Sequence, residues 1–203
     1  MKYTLTSILF LGVMLLAVGC SDSALNDNSA ATLSSEFATE AEKRAPAPGG
    51  DTIAEIVVTS TQADPAEFTL LFAALEYTGL TGVFTGGSQY TVFAPTDEAF
   101  LNLVGLLGVD PNDPFTEIDA LLGPGTVANV LLYHVVEGRR AANSVVPPRN
   151  PRTITTLLGA TFSVDSEGVI TDIAGQEVNI VAPNISASNG IIHVIDTVLL
   201  PLD

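Results

Sequence analysis

Phe68, Leu71, Phe72 and Leu75 recur at i, i+3, i+4 and i+7, which is the spacing of one helical face. Asp64, Pro65 and Glu67 precede them as a cap, a first-turn proline and a reciprocal carboxylate. Gly79 follows as a stop, so the pattern predicts a helix that starts just after Asp64 and closes there. Thr52 and Glu55 form a capping box ahead of Ile53, Ile56 and Val57, an earlier helix. Past Gly86-Gly87 the β-formers from Tyr90 to Ala94 predict a strand that Pro95 ends. Thr96 then caps a helix whose first turn carries Asp97 and Glu98 toward the positive end of its dipole. Asp113 capping Pro114 marks a further helix start, and residues 126–132 read as a helix running into a strand through Tyr133-His134-Val135-Val136.

The second half changes period. Residues 153–158, 161–164, 169–173, 178–181 and 191–200 are β-rich pieces separated by Gly, Asp, Pro and Asn. Helices first and strands later, with one early strand joining the sheet, indicate an α+β fold. Residues 51–203 are long enough for one well-buried domain.

A different pattern precedes that domain. Lys2 is followed by an apolar run over residues 8–18, too short for a comfortable membrane span. Residues 1–19 therefore read as a signal peptide, and Ala17-Val18-Gly19-Cys20 resembles a bacterial lipobox. Cleavage before Cys20, the chain's only cysteine, places a lipid on the first mature residue. Residues 20–50 are rich in Ser, Ala, Asn and Asp, lack apolar periodicity, and read as a flexible lipidated tether. These readings place the protein in a bacterial cell envelope, held to a membrane through Cys20, with the outer membrane or cell surface as its site.

Charge narrows the partners. With 23 Asp and Glu against 7 Lys and Arg, the net charge is −16, which excludes the cationic face that nucleic acid requires. Beyond Arg44 the only cations are Arg139, Arg140, Arg149 and Arg152, flanking Pro147-Pro148 and Pro151. Such a segment cannot form continuous regular structure, and it reads either as a solvated loop or as a local cationic patch for an anionic partner.

Chemistry finds little purchase. His134 and His193 are the only histidines, and His193 and Asp196 point to opposite faces of a strand, so they cannot share an ion. Asp110-Pro111-Asn112-Asp113 resembles the start of a calcium loop, but Phe115 stands where the turn needs Gly. No G-x-S-x-G, phosphate loop or dinucleotide fingerprint occurs. No enzyme, metal or cofactor is expected, and both histidines read as structural.

Three motifs then carry a resemblance. They are Tyr90-Thr91-Val92-Phe93-Ala94-Pro95-Thr96-Asp97-Glu98-Ala99-Phe100, the segment Tyr133-His134, and Asn189-Gly190-Ile191-Ile192-His193-Val194-Ile195-Asp196 with its apolar continuation to Pro201. In order and kind they resemble the two boxes and the Tyr-His segment of a fasciclin domain. The resemblance implies a β-wedge or sandwich with helices packed against it, and Tyr133, His134 and His193 as motif residues. It also implies an adhesion or protein-interaction module, with an envelope ligand- or polysaccharide-binding protein as the alternative. Ala182-Pro183-Asn184-Ile185-Ser186 stands where some animal fasciclin domains carry an Asp-Ile segment associated with integrin binding, and Asn184 replaces the aspartate. A neutral amide is a poor ligand for a receptor-bound ion, which argues against integrin as partner. The interaction surface expected from sequence is thus Arg139, Arg140, Arg149 and Arg152 together with the loop at Asn184.

Overall fold

The computed structural model describes residues 48–202. Residues 1–19, Cys20 and nearly all of residues 20–50, read from sequence as signal peptide, lipidation site and tether, lie outside them. The described residues form six α-helices, one 3-10 segment and seven strands, in order. They are α1 (Ile53–Thr61), α2 (Thr69–Thr78), the 3-10 turn Leu80–Phe84, β1 (Tyr90–Pro95), α3 (Asp97–Leu107), α4 (Pro114–Leu122), α5 (Thr126–Tyr133), β2 (Val135–Glu137), α6 (Ala142–Val145), β3 (Arg152–Thr155), β4 (Thr161–Val164), β5 (Val169–Thr171), β6 (Glu177–Ala187) and β7 (Gly190–Ile195).

The sheet runs β2-β1-β7-β6-β5-β4-β3, mixed because β1 and β7 are parallel while the other pairs are antiparallel. Leu157 N–H donates to Val135 O across the two edge strands, which nearly closes the sheet into a wedge. This is the α+β, wedge-with-helices arrangement expected from sequence.

The parallel pair explains its own apolar sequence. Val92, Ala94, Ile192 and Val194 face a core shared with the helices, and Phe93, Ile195 and Leu199 face a second core inside the wedge. Strands covered on both faces lose the polar alternation of a half-exposed sheet. The wedge core includes Phe162, edge-on to both Phe93 and Tyr133 at centroid separations of 5.1 and 5.9 Å.

Local signals held where the partner is adjacent in sequence. The Thr52–Glu55 capping box, the Thr96 cap on Ala99 N–H and the left-handed Gly79 stop are all present. The predicted start of α2 is corrected: the helix begins at Thr69, preceded by Phe68 at φ +64°. Its cap comes from 27–28 residues away, where Asp97 accepts from Thr69 N–H (3.1 Å), Leu70 N–H (2.8 Å) and Thr69 Oγ1 (2.7 Å). Glu67 in turn accepts from Asp97 N–H at 2.7 Å. The two helix starts therefore exchange caps, and orphan N–H groups at each N-terminus are satisfied by a carboxylate from the entry to the other helix. Asp97→Ala is expected to cost about 1–2 kcal/mol in denaturant unfolding, with Asp97→Asn recovering part of it. An unchanged midpoint for the alanine variant would refute the exchange.

Three further expectations change. Asp113 makes no side-chain cap to α4, and the side-chain bonds of this turn run from Asn112 to the Asp110 carboxylate. Tyr133 and His134 belong to the end of α5, and the strand starts only at Val135. The Pro183-Asn184 pair, read as a break, lies inside an 11-residue β6, where two register shifts absorb it and Asn184 sits at φ +65°.

Candidate functional site

Arg139, Arg140, Arg152 and Asn184, proposed for interaction, meet one residue of the family-like motifs, His193, at a corner where the chain leaving β2 crosses the bulged middle of β6. Gly138 follows β2, and its carbonyl accepts from Thr91 Oγ1 at 2.7 Å, while Thr91 Oγ1 accepts from Arg140 N–H at 2.8 Å. Thr91 is fully buried, so this pair fixes the crossing against β1. On the far side Asn184 Oδ1 accepts from Ala142 N–H at 2.9 Å and thereby caps α6. The left-handed backbone at Asn184 turns its own N–H toward His193 Nδ1, at 3.3 Å.

His193 joins the two. Its Nε2 lies 2.9 Å from Arg140 O, so this nitrogen carries the proton while Nδ1 accepts. The ring is buried beside Phe93 (centroid separation 5.5 Å), and burial depresses its pKa despite the favourable carbonyl. Acceptance at Nδ1 requires the neutral imidazole, because a protonated ring has only donors.

The arginines part company. The Arg139 guanidinium donates to Ala187 O (2.8 Å), Ser186 Oγ (2.7 Å) and Gly190 O, closing the β6–β7 turn. Arg152 heads β3 and donates to Ser144 O in α6. Arg140 is half-buried and uses its main chain in the crossing, whereas Arg149 is exposed on the proline-bounded loop. What sequence suggested as one cationic loop is thus a folded corner with a short helix, α6, in its middle, and two of its four guanidiniums bond main-chain carbonyls.

His134 occupies a separate place. As the cap of α5 it donates from Nδ1 to Val130 O at 2.7 Å, and Nε2 accepts from Leu199 N–H at 2.9 Å. Full burial lowers its pKa to about 4, only partly offset by the Val130 carbonyl and Asp172. Asp172, itself buried, takes the next amide, Leu200 N–H, at 2.9 Å, so two side chains secure the terminal strap beyond β7. Tyr133 donates to Thr161 O at 2.9 Å, and burial drives its phenol up to about 12.

Asn189 enters the sequence reading only as the first residue of a motif, with no role of its own. Buried just before β7, it accepts from Ile53 N–H (2.8 Å) and donates to Phe84 O (2.6 Å), tying α1 and the 3-10 turn to the sheet. The only available signal was an Asn-Gly pair entering an apolar strand, which reads as a turn.

Among the described residues no group of three or more His, Cys, Asp or Glu is placed to hold a metal ion, and no helix is long and apolar enough to cross a membrane. Buried side-chain polar atoms among them are all partnered.

Comparison with known proteins agrees with this architecture. Residues 66–201 match the model of the fasciclin domain. The chain is 30% identical over 165 residues to "Protein sll1483" of Synechocystis, covering 79% of this chain and 82% of that protein. It is 33% identical over 116 residues to "Cell surface glycolipoprotein MPB83" of Mycobacterium bovis, covering 57% of this chain and 45% of that protein. A solved FAS1 domain pair from the insect cell adhesion molecule Fasciclin I superposes with a TM-score of 0.59 at 18% identity, over 75% of this chain and 51% of that one, a likeness of fold.

Proposed function

We propose that this chain, which belongs to the fasciclin domain family, is a lipid-anchored module of a bacterial cell envelope that presents one domain for adhesion or protein interaction and catalyses no reaction. The observation that carries this reading is how the motif residues are used. His134 and His193 each spend both ring nitrogens on main-chain groups, and Tyr133 spends its hydroxyl on another, so the boxes serve architecture. Recognition is left to exposed segments on a rigid frame. A mycobacterial relative is named a cell-surface glycolipoprotein and the superposing insect protein a cell adhesion molecule, which supports display at a surface.

Cys20 supplies the anchor and residues 20–50 the reach. A coil of that length spans on the order of 30 Å, enough to clear headgroups without fixing orientation. The corner of Arg139, Arg140, Arg149, Arg152 and Asn184 forms the interaction surface, with Arg149 carrying the outward charge. Its partner is an envelope protein or an anionic envelope polysaccharide.

Fractionation of cells expressing Cys20→Ala tests the anchor. The variant should leave the membrane fraction almost completely, because stable attachment needs the acyl chains. Equal retention would refute lipidation. In the same cells an Arg140→Gln, Arg149→Gln variant keeps every main-chain bond and should attach less to an anionic envelope fraction at low salt, with an unchanged melting temperature. Undiminished attachment would remove the corner from consideration.

A further inference from the structure

Between Asp51 and Gly138 the chain has no Lys or Arg, while Glu98, Asp110, Asp113, Glu117 and Asp119 lie within or just after α3 and in α4. The outer face of α3 is unlike a solvated helix face. Glu98, Leu101, Asn102, Gly105 and Leu106 are all exposed and share an arc of about 140° at 100° per residue, opposite the buried Ala99, Phe100 and Val104. Leu101 is 54% and Leu106 77% exposed.

Gly105, between them, has no internal reason to be glycine. Its φ is not positive, and a Cβ built on it meets nothing within 4 Å. Glycine in a helix is less favourable than alanine, so a position that needs neither its freedom nor its smallness within the domain bears a cost without return. A smooth patch between two exposed leucines is what lets another backbone approach closely.

We propose that the outer face of α3 docks a cationic amphipathic helix. The partner lays apolar side chains between Leu101 and Leu106, over Gly105, and places Lys or Arg at both ends of the patch. Glu98 sits at one end. The other combines the negative pole of α3 with Asp110 and Asp113, both exposed. The ends are roughly 16 Å apart, from 1.5 Å per residue, which corresponds to cations about 11 residues apart. Eleven residues bring a helix back to within roughly 20° of its starting face, so one stripe presents both. Charge complementarity selects this occupant over a second copy, because a second α3 brings the same carboxylates and the whole chain carries −16. The face is separate from the arginine corner, and the inference does not depend on the lipid anchor.

The test is fluorescence anisotropy of a labelled 18-residue helical peptide against the purified full chain. The peptide carries a Leu/Ala stripe with Lys at positions 4 and 15, and its control carries Glu there. Binding of the Lys peptide should weaken at least tenfold from 50 to 300 mM NaCl, and the Glu peptide should bind at least tenfold more weakly than the Lys peptide. Gly105→Leu should weaken Lys-peptide binding at least tenfold while raising the melting temperature, so the loss cannot come from unfolding. Leu101→Ser with Leu106→Ser should weaken binding comparably. No binding of the Lys peptide, equal binding of the Glu peptide, or undiminished binding by Gly105→Leu each overturns the proposal. So does a dimer in sedimentation that Gly105→Leu abolishes, which assigns the face to a second copy.

Discussion

Gly190→Ala is expected to destabilise the domain by about 3 kcal/mol or more, a fall in melting temperature on the order of 10 °C. Gly190 opens β7 and pairs with Tyr90 at the start of the parallel β1–β7 ladder. A Cβ there stands 2.1 Å from Tyr90 O, 3.0 Å from Tyr90 C and 2.7 Å from Ile53 Cδ1. The isoleucine end can rotate away, but a carbonyl held in a central ladder cannot. Relief requires β1 and β7 to separate at the junction where both cores meet. Gly105→Ala is the control, since it meets no atom and should be neutral or slightly stabilising. A melting temperature for Gly190→Ala within about 2 °C of the parent would show that the strands do not approach as described.

The second large effect is a dependence on pH. His134 titrates near 4 in the folded domain, against about 6.5 for a free imidazole, because burial penalises its cation and Leu199 N–H occupies the acceptor nitrogen. The folded state therefore refuses a proton that the unfolded state accepts between those values. Stability conferred by the neutral ring is full above about pH 7 and is lost as pH falls through 6.5 toward 4. The gap between those two values corresponds to about 3 kcal/mol. His193 acts in the same direction through its own burial. Comparing wild type with His134→Gln isolates the one group, since the carboxylates and His193 are common to both. The wild-type advantage in unfolding free energy should shrink by about 3 kcal/mol between pH 7.5 and 4. Parallel curves would show that His134 is not buried as a neutral acceptor.

Much of this domain was legible along the chain. The Thr52–Glu55 box, the Thr96 cap and Gly79 are contacts between near neighbours, and each is present. Residues 90–94 and 191–195, apolar apart from Thr91 and His193, are the β-rich segments that become β1 and β7, covered on both faces. Motif order alone was enough to point to the fold. The same local logic failed where a group's partner is remote. Asp64, Pro65 and Glu67 resemble a helix start, yet Glu67 caps α3 and Asp97 caps α2.

The arginine corner shows the limit most clearly. In sequence, four arginines among prolines suggest one exposed cationic stretch, with Glu137 the only carboxylate within ten residues of any of them. In the fold, Arg139 lies against Ala187 and Gly190, about fifty residues on, and its charge closes a turn. Asn189 and Asn184 are likewise hubs only because tertiary structure brings Ile53, Phe84 and Ala142 to them. Periodicity and capping determined which segments are helix or strand, since those preferences are settled over a few residues of backbone. The parallel pairing of β1 with β7, the exchanged caps and the fate of each polar side chain were decided by tertiary packing, because a buried donor or acceptor must find a partner wherever in the chain one arrives.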